Sequence, residues 1–423
     1  MSEAIPVGWQ RRSLSSLGEY ENGFAFNELH WSEHGLPIVR IAQITGTQGI
    51  VDRYPGRLPD TFRIDSGDLI FSWSGTLAVV RWAGGPAWLN QHLFKVVPAP
   101  GIDRSLLFHV LQASVAEMNK RTHGSTMKHI KRGELREFFV SIPVAVDEQR
   151  RLASVLDTLD TAIHETEAII AKLKAVKQGL LHDLLTRGID ANGELRPPQA
   201  EAPHLYKQSP LGWIPKEWNA PRLLDVSNRI TDGTHEAVTT VADGGGEVPF
   251  LFVSCVRDGE VAWDKAASIT RRDYVRISKG REPEPGMVLY TAVGSYGHAA
   301  EVGDKREFAF QRHIACIYPD ATQVIAGFMP FVLNWEPMQR YADRVALGNA
   351  QKTVTLGELS RYPFVCPKKT EQVEIVGRVR AVQEKLTSEQ RCLEKLQLQK
   401  SGLMDDLLTG RVRVTPLLEG GAP

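Results

Sequence analysis

The fold is decided by a stretch that occurs twice, first as Lys177-Gln178-Gly179-Leu180-Leu181-His182-Asp183-Leu184-Leu185-Thr186 and again as Lys400-Ser401-Gly402-Leu403-Met404-Asp405-Asp406-Leu407-Leu408-Thr409. The pair Glu148-Gln149 recurs as Glu371-Gln372 at the same distance along the chain. Self-similarity at a fixed distance is the sequence signature of a repeated structural module. The chain is therefore predicted to contain two copies of one module.

Weaker matches extend the repeat toward the start of each copy, although the distance between partners changes. They pair Gly133-Glu134-Leu135 with Gly357-Glu358-Leu359, Gly67-Asp68-Leu69-Ile70-Phe71 with Gly286-Met287-Val288-Leu289-Tyr290, and Gly8-Trp9 with Gly212-Trp213. A well-matched last part and a diverged first part are expected when one region keeps a common role and the other specialises.

The shared part of each copy has apolar residues alternately four and three positions apart, which is the heptad pattern of a coiled coil. The seam contains Leu152, Leu156, Leu159, Ile163, Ile170, Leu173, Leu180 and Leu184 in the first copy, and Ile375, Val379, Val382, Leu386, Leu393, Leu396, Leu403 and Leu407 in the second. No proline interrupts either run. Each run is therefore predicted to be one long helix, with the other copy's helix as its partner. The alternative is two independent helices, each packed on its own domain.

Two lysines, Lys177 and Lys400, fall at polar positions of this seam. They either set the register of the helix pair against Thr166 or Glu389, or extend their ammonium groups to solvent. Each helix would be roughly 57 Å long at 1.5 Å per residue. An antiparallel pair would place two globular heads at opposite ends.

Each head is rich in short β-type runs followed by a helical pattern, at residues 105–121 and 326–345. The predicted fold class is therefore α+β, with two β-rich heads of similar fold, each followed by a long α-helix, and the two helices paired as an antiparallel coiled coil with pseudo-twofold symmetry. The expected segments are a first head at 1–146, a central helix at 147–187, a linker at 188–209, a second head at 210–367, a C-terminal helix at 368–410 and a tail at 411–423.

The most basic stretch of the chain, residues 120–132, follows the first helical pattern. Its counterpart, residues 344–353, is less basic but contains Asn and Gln, whose amides can pair with adenine edges. Such loops favour contacts with phosphates and base edges of nucleic acid; a solvated loop is the alternative. The candidate DNA contacts are Lys120, Arg121, His123, Ser125, Thr126, Lys128 and Lys131 in the first loop, and Asn349, Gln351 and Lys352 in the second.

Other candidate contacts lie where β-type runs end. They are Ser74 and Thr76, the matched Ser295 and Tyr296, and Thr234 with His235 in a Thr-Asp-Gly-Thr-His run. For each of these loops the alternative is a structural turn. His92 and His313 recur ahead of matched strands without a partnered nucleophile, and we interpret both as structural histidines.

Composition narrows the class of protein. Fifty lysines and arginines balance fifty aspartates and glutamates, which argues against a protein that coats nucleic acid through bulk positive charge. The four cysteines form no CxxC pair, so neither a zinc site nor a disulfide framework is expected. No apolar run reaches the roughly 20 residues that span a bilayer. Because the N-terminus also lacks an export signal, we expect a soluble protein of a bacterial or archaeal cytoplasm.

Catalytic motifs are absent from the sequence. There is no glycine-rich methyl-donor turn with an Asp/Asn-Pro-Pro-Tyr-like or Pro-Cys motif, no Walker A loop and no plausible nuclease set. The run Gly244-Gly245-Gly246 lacks the GxGxxG spacing and fits a hinge. We therefore predict no catalytic residue, no metal ligand and no cofactor bound by this chain.

The order of these features resembles the specificity subunits of type I restriction-modification systems. The residues that carry the resemblance are the Gly-Trp pairs opening each head, the passages from Phe139 to Gln149 and from Phe364 to Gln372, and the Lys-Gln/Ser-Gly-Leu ends of the helices. Together they cover nearly the whole chain.

The resemblance implies that each head reads one half of a bipartite DNA target. It implies that the helices fix the spacer and dock two methyltransferase subunits, which restriction subunits then join. S-adenosylmethionine, Mg²⁺ and ATP would be bound by those partners. Helices of the predicted length limit the separation of the heads to about 17 base pairs. The alternative function is a non-catalytic coiled-coil scaffold that binds proteins rather than DNA.

Overall fold

The computed structural model describes residues 5–46, 50–121, 132–241, 246–257, 259–348 and 352–414. The chain divides into two compact units. The first unit contains residues 1–169 and 390–423, and the second contains residues 170–389. None of the helices in the described ranges has the length and hydropathy needed to cross a membrane.

Among its described residues, the first unit contains ten strands, two α-helices of its own and the start of a long α-helix. These are β1 (Trp9–Ser13), β2 (Gly18–Asn22), β3 (Leu36–Val39), α1 (Ile41–Ile44), β4 (Arg53–Tyr54), β5 (Arg63–Ile64), β6 (Leu69–Ser72), β7 (Ala78–Arg81), β8 (Ala87–Leu89), β9 (Leu93–Pro98), α2 (Arg104–Arg121), β10 (Phe139–Pro143) and the long α3 (Val146–Thr186). One antiparallel sheet has the order β2-β9-β6-β7, and a second has the order β4-β3-β8-β5 with β3 and β8 parallel.

The middle strand β6 is buried along its whole length because both of its faces are covered. Leu69 and Phe71 point to the core shared with α2, whereas Ile70 joins the core of the second sheet beside Leu89. Alternating side chains of a strand point to opposite faces, so a strand between two layers is apolar throughout. This arrangement explains why the run Leu69-Ile70-Phe71 lacks the polar alternation of a surface strand.

The second unit repeats this plan. It contains β11 (Tyr206–Ser209), β12 (Gly212–Pro215), β13 (Ser227–Asp232), β14 (Val248–Leu251), β15 (Val256–Arg257), β16 (Glu260–Val261), β17 (Ala267–Ile269), α4 (Arg271–Ile277), β18 (Val288–Thr291), β19 (Ala299–Glu301), β20 (Ala309–Phe310), β21 (Ile314–Pro319), α5 (Met329–Leu333), α6 (Glu336–Val345), α7 (Leu356–Ser360) and the long α8 (Lys369–Leu408), which ends in the first unit. The sheet β13-β21-β18-β19 has the strand order of β2-β9-β6-β7, and β14 is parallel to β20 as β3 is to β8.

The prediction of one helical segment at residues 326–345 is wrong in one respect. The structure divides it into α5 and α6, which are separated at Asn334 and Trp335. Pro330 lies in the first turn of α5 and Pro337 in the first turn of α6. The missing proline N–H breaks no helical hydrogen bond at these positions. The amide of Asn334 accepts from the Ala299 N–H and donates to the Ala299 carbonyl, both at 2.8 Å, so the break between the helices is bonded to the start of β19.

Within each unit the two long-helix segments run antiparallel. In the first unit, Glu148 near the start of α3 contacts Arg413 beyond the end of α8, while Asp160 further along α3 contacts Lys400 further back on α8. Every residue of the predicted seam is buried or half-buried. The α+β fold class, with β-rich heads followed by long paired helices, is thus confirmed.

The two seam lysines make polar contacts across the helix pair. Lys400 lies 2.5 Å from Asp160 in the first unit, and Lys177 donates to Gln383 at 2.6 Å in the second. Their partners are therefore neither Thr166 nor Glu389, the two residues named from the sequence. Thr166 instead donates to the Ala162 carbonyl of its own helix. Because both lysines bond a residue at the matching place on the facing helix, they contribute to register.

A buried carboxylate at the start of each long helix fastens the head to that helix. Glu148 accepts from the Trp9 indole at 3.2 Å and from Arg413 at 2.9 Å. In the second unit Glu371 accepts from the Trp218 indole at 3.0 Å and from Arg196 at 2.6 Å. The structural counterpart of Trp9 is therefore Trp218, which corrects the sequence pairing with Trp213. Trp213 is an exposed residue of the β11–β12 hairpin.

The glutamine beside each carboxylate has the same role in both units. Gln149 accepts from the Asp103 N–H at 2.8 Å and donates to the Gly101 and Pro143 carbonyls. Gln372 accepts from the Ile325 N–H at 2.9 Å and donates to two carbonyls at 3.0 and 2.9 Å. Both side chains are buried. Each amide thus satisfies backbone groups of two head segments at once.

We expect the substitution Gln372→Ala to lower the free energy of unfolding by roughly 3 kcal/mol, because it leaves buried backbone donors and acceptors without partners. Urea denaturation of the purified chain measures this loss. The exposed Gln399 on α8 provides the control, and Gln399→Ala should change stability by less than about 0.5 kcal/mol. Equal effects of the two substitutions would contradict the assigned role of Gln372.

A further ion pair between head and helix occurs in both units with its charges exchanged. Arg81 on β7 pairs with Asp157 on α3 at 2.6 Å, whereas Glu301 on β19 pairs with Arg380 on α8 at 2.7 Å. The positions correspond, because β7 and β19 occupy the same place in the two sheets and the two helix residues are as far apart in sequence as Glu148 and Glu371. The contact is retained although the residue at each end has changed sign.

This exchange predicts a reciprocal rescue in the second unit. Arg380→Glu would place two carboxylates together and should cost about 0.5 to 1 kcal/mol, a small value because Arg380 is half exposed. Adding Glu301→Arg restores the pair with the polarity of the first unit and should recover most of the loss. Urea denaturation of both variants tests this, with Arg391→Glu on the exposed face of α8 as the control for charge reversal. A double variant no more stable than Arg380→Glu would contradict the pairing.

Candidate nucleic-acid interface

In the antiparallel sheet of each unit, several loops lie together where the strands end. We call this set of loops the turn edge. In the first unit it comprises residues 23–24 after β2, 73–76 after β6 and 90–92 before β9. In the second unit it comprises residues 233–235, 292–297 and 311–313. Both edges arise from the same strand order, so the two heads present corresponding loops.

A tight turn in front of β9 lies at the centre of the first turn edge. The Leu93 N–H donates to the Asn90 carbonyl at 3.0 Å, which closes the turn around Gln91 and His92. The Gln91 N–H donates to the Phe24 carbonyl at 2.9 Å, and the Asn90 N–H donates to β3 at 3.0 Å. These backbone bonds fix the turn to both sheets.

The second unit builds the same turn with the same bonds. The Ile314 N–H donates to the Gln311 carbonyl at 3.0 Å and closes the turn around Arg312 and His313. The Arg312 N–H donates to the Thr234 carbonyl at 3.0 Å, and the Gln311 N–H donates to β14 at 3.1 Å. The backbone is therefore common to both units, while the residues that it displays are Gln-His in one and Arg-His in the other.

A glycine is required beside each turn because two backbones approach closely there. A Cβ on Gly23 would lie 2.3 Å from the Leu89 carbonyl oxygen, and one on Gly233 would lie 2.2 Å from the Phe310 carbonyl oxygen. Neither position can accommodate a side chain without moving the neighbouring strand. The Thr-Asp-Gly-Thr-His run therefore has a structural role, because its glycine allows the two backbone segments of the turn edge to pack closely.

The second turn edge collects several polar side chains. His235 bonds Asp232 at 2.7 Å, and Ala292 after β18 donates its N–H to the His313 carbonyl at 2.9 Å. Burial lowers the pKa of His313, and the nearby charges of Arg312 and His235 lower it further. The Gly294 N–H donates to the Lys352 carbonyl at 3.0 Å, which brings the end of the loop at 344–353 to the same edge.

The residues predicted as DNA contacts fall into three groups. Thr76, His235, Ser295 and Lys352 are exposed on the turn edges. Tyr296 is half-buried and donates to Asp343, whose carboxylate raises the pKa of Tyr296 to about 12. The third group lies outside the described residues and consists of His123, Ser125, Thr126, Lys128, Lys131, Asn349 and Gln351, with the side chains of Lys120 and Arg121.

Two of the predicted contacts need correction because they are buried. Ser74 is 7% exposed and Thr234 is 6% exposed. The Thr234 hydroxyl accepts from the Glu236 N–H at 3.1 Å, which is the local bond of a structural turn. These two residues therefore belong to the framework of the turn edge.

Sequence reasoning missed Gln91 and Arg312. The available signal was the recurrence of His92 and His313 ahead of matched strands, each preceded by a polar residue that differs between the copies. From the sequence alone, this recurrence favours a pair of structural histidines. The tertiary contacts show that the preceding residue is displayed on the surface of the same rigid turn.

One cluster in the first unit has the composition of a metal site. Within the described ranges, His109, Asp157 and Asp160 form the group whose ligand atoms lie within 4.8 Å of one another. Arg81 lies 2.6 Å from Asp157 and Lys400 lies 2.5 Å from Asp160, so cationic side chains already neutralise both carboxylates. Burial lowers the pKa of His109, although the two aspartates oppose the shift. The arrangement fits a network that joins head and helix better than a cation site.

Known proteins are similar to this chain in sequence and in fold. Residues 6–175 match the family model of the type I restriction modification DNA specificity domain. The specificity subunit of the type I restriction enzyme EcoBI from Escherichia coli is 24% identical over 387 residues, which cover 89% of this chain and 79% of that protein. The MjaVIII specificity subunit of Methanocaldococcus jannaschii is 21% identical over 361 residues, which cover 84% and 81%.

Solved structures share the fold at low sequence identity. The S subunit of a type I restriction-modification system from M. genitalium matches with a TM-score of 0.58 at 13% identity, covering 96% of this chain and 97% of that one. A chain from a structural study of complex assembly and conformational transition of the type I R-M system matches with a TM-score of 0.53 at 15% identity, covering 97% and 100%. The family model thus matches the first head and most of α3, and the sequence relatives that extend across both copies of the repeat are specificity subunits of type I restriction enzymes.

Proposed function

We propose that this chain recognises the DNA target of a type I restriction-modification complex, with each head reading one half of a bipartite sequence. The observation that carries the proposal is the pair of turn edges. They share one backbone framework, held by matched hydrogen bonds, but display different side chains. A duplicated framework with diverged surface residues is suited to reading two different half-sites.

The charge of the molecule fits a binder that acts through local surfaces. The whole chain has no net charge, so affinity for phosphates must come from local groups such as Lys352 and from partner subunits. Polar side chains at the turn edges supply contacts to base edges. The chain would therefore contribute more to specificity than to total affinity.

The long helices are proposed to fix the spacer between the half-sites and to dock two methyltransferase subunits. Outside the seam, α3 exposes the apolar side chains of Ile169 and Val176, and α8 exposes Val373 and Leu398. These residues are available to a protein partner on helices whose seam positions are already covered. Restriction subunits would join through the methyltransferase subunits.

Catalysis is proposed to belong to the partners. The sequence contains no motif for binding S-adenosylmethionine or ATP, so these and Mg²⁺ would be bound by the methyltransferase and restriction subunits. The chain itself would be a non-catalytic subunit that acts in a bacterial or archaeal cytoplasm. A coiled-coil scaffold that binds only proteins is not favoured, because the family model and the relatives are those of DNA specificity subunits.

The test is to co-express this chain with its neighbouring methyltransferase gene, purify the complex and map methylated bases in genomic DNA from a host without that methylation. We expect one split motif with two defined halves and a fixed unspecified spacer. The methyltransferase expressed without this chain is the control and should leave the motif unmethylated. Failure to copurify, together with no methylated motif, would contradict the proposal and favour the scaffold function.

A further inference from the structure

The turns Asn90–Leu93 and Gln311–Ile314 differ in one displayed residue on a common backbone. The second central residue is histidine in both turns, at His92 and His313, whereas the first is Gln91 in one head and Arg312 in the other. Gln91 is half-buried, and Arg312 is exposed. The two turns therefore display a glutamine in one head and an arginine in the other at the same backbone position.

Rigidity of this position follows from bonds on both sides of the turn. The Gly23 N–H donates to the Leu93 carbonyl at 3.1 Å, and the Gly233 N–H donates to the Ile314 carbonyl at 3.1 Å. Each turn is also closed by its own hydrogen bond and bonded to the neighbouring sheet. Three sets of backbone hydrogen bonds therefore fix the backbone at Gln91 and at Arg312. A recognition residue on a fixed backbone loses little conformational entropy when it binds.

The side chain of Arg312 is oriented by the histidine that follows it. The Arg312 Nε–H donates to His313 Nε2 at 3.4 Å. Because burial lowers the pKa of His313, its imidazole is neutral near pH 7 and can accept this bond. Among the described residues, neither Nη group of Arg312 forms a hydrogen bond or an ion pair. They are free to form two parallel bonds with an external acceptor pair.

The side chain of Gln91 has a related setting. Its amide nitrogen lies 3.5 Å from His92 Nε2, which places the amide beside the histidine as the guanidinium lies beside His313. Within the part of the chain that the structure describes, the Gln91 amide oxygen accepts no hydrogen bond. A carboxamide presents one donor and one acceptor side by side, whereas a guanidinium presents two donors.

These two patterns select different bases. Arginine forms a bidentate pair with the O6 and N7 acceptors of guanine in the major groove, and glutamine forms one with the N6 donor and N7 acceptor of adenine. We infer that Arg312 specifies a guanine in the half-site read by the second head and that Gln91 specifies an adenine in the half-site read by the first head. This inference rests on the proposed function and names the residues that give the two heads different targets.

The experiment compares wild-type, Arg312→Gln and Gln91→Arg complexes, each purified with the methyltransferase partner and used to methylate the same unmethylated genomic DNA. In Arg312→Gln we expect the preference for guanine at one position of one half-site to fall by roughly tenfold or more. In Gln91→Arg we expect a comparable loss of preference for adenine at one position of the other half-site. Each variant should keep the half-site of the untouched head, which reports that the complex is folded and assembled.

The matched control is Arg272→Gln, which makes the same chemical change at an exposed residue of α4 in the second head. It should leave both half-sites unchanged. An Arg312→Gln complex that methylates the wild-type motif in both halves would overturn the inference. A wild-type complex that methylates no split motif would instead contradict the proposed function, so the two failures are distinguishable.

A second variant covers the case in which Arg312→Gln yields no methylation. Arg312→Lys keeps the positive charge and the turn but cannot form two parallel bonds to guanine in the same way. We expect it to methylate DNA with a relaxed choice of base at one position of one half-site. Retention of the full wild-type guanine preference in Arg312→Lys would show that the two parallel guanidinium bonds do not select the base, and the inference would be wrong.

Discussion

A buried carboxylate at the start of each long helix is the interaction on which the rest of the structure depends. Glu371 receives bonds from the Ile189 N–H, the Trp218 indole and the Arg196 guanidinium, and both members of its ion pair with Arg196 are about nine-tenths buried. A charge in such a place is tolerated only when several donors surround it. One residue therefore holds together a head, the start of one long helix and the segment that follows the other.

The same contact in the first unit explains why Glu148-Gln149 recurs as Glu371-Gln372 at the starts of the two long helices. Glu148 needs the Trp9 indole and Arg413, which come from opposite ends of the chain. Gln149 and Gln372 add a second set of shared bonds to backbone groups of their heads. Substitution at these places removes several bonds at once, whereas substitution on a turn edge removes few. A substitution at a helix start therefore lowers stability more than one on a turn edge. This difference explains why the helix starts still match while the head surfaces have diverged.

Not every retained contact has kept its residues. The pair of Arg81 with Asp157 and the pair of Glu301 with Arg380 join the same two elements with opposite polarity. An ion pair depends on opposite charge and distance, and it is indifferent to which element supplies the cation. Contacts that use backbone groups or an indole N–H have no such freedom, because a backbone donor cannot become an acceptor. The two kinds of contact therefore diverged differently after duplication.

The sequence by itself determined the duplication, the long helices, the α+β class and the absence of catalytic motifs, because each depends on residue order or local periodicity. The heptad seam is one example, since the spacing of Leu152 and Leu156 already defines a helix face. Only the tertiary structure decided that Trp9 corresponds to Trp218, that Thr234 is buried and that matched hydrogen bonds fix the turns displaying Gln91 and Arg312. Those facts depend on hydrogen bonds between segments far apart in the chain, such as the bond from Arg312 to Thr234, and insertions of different length had removed the alignment that would have shown them.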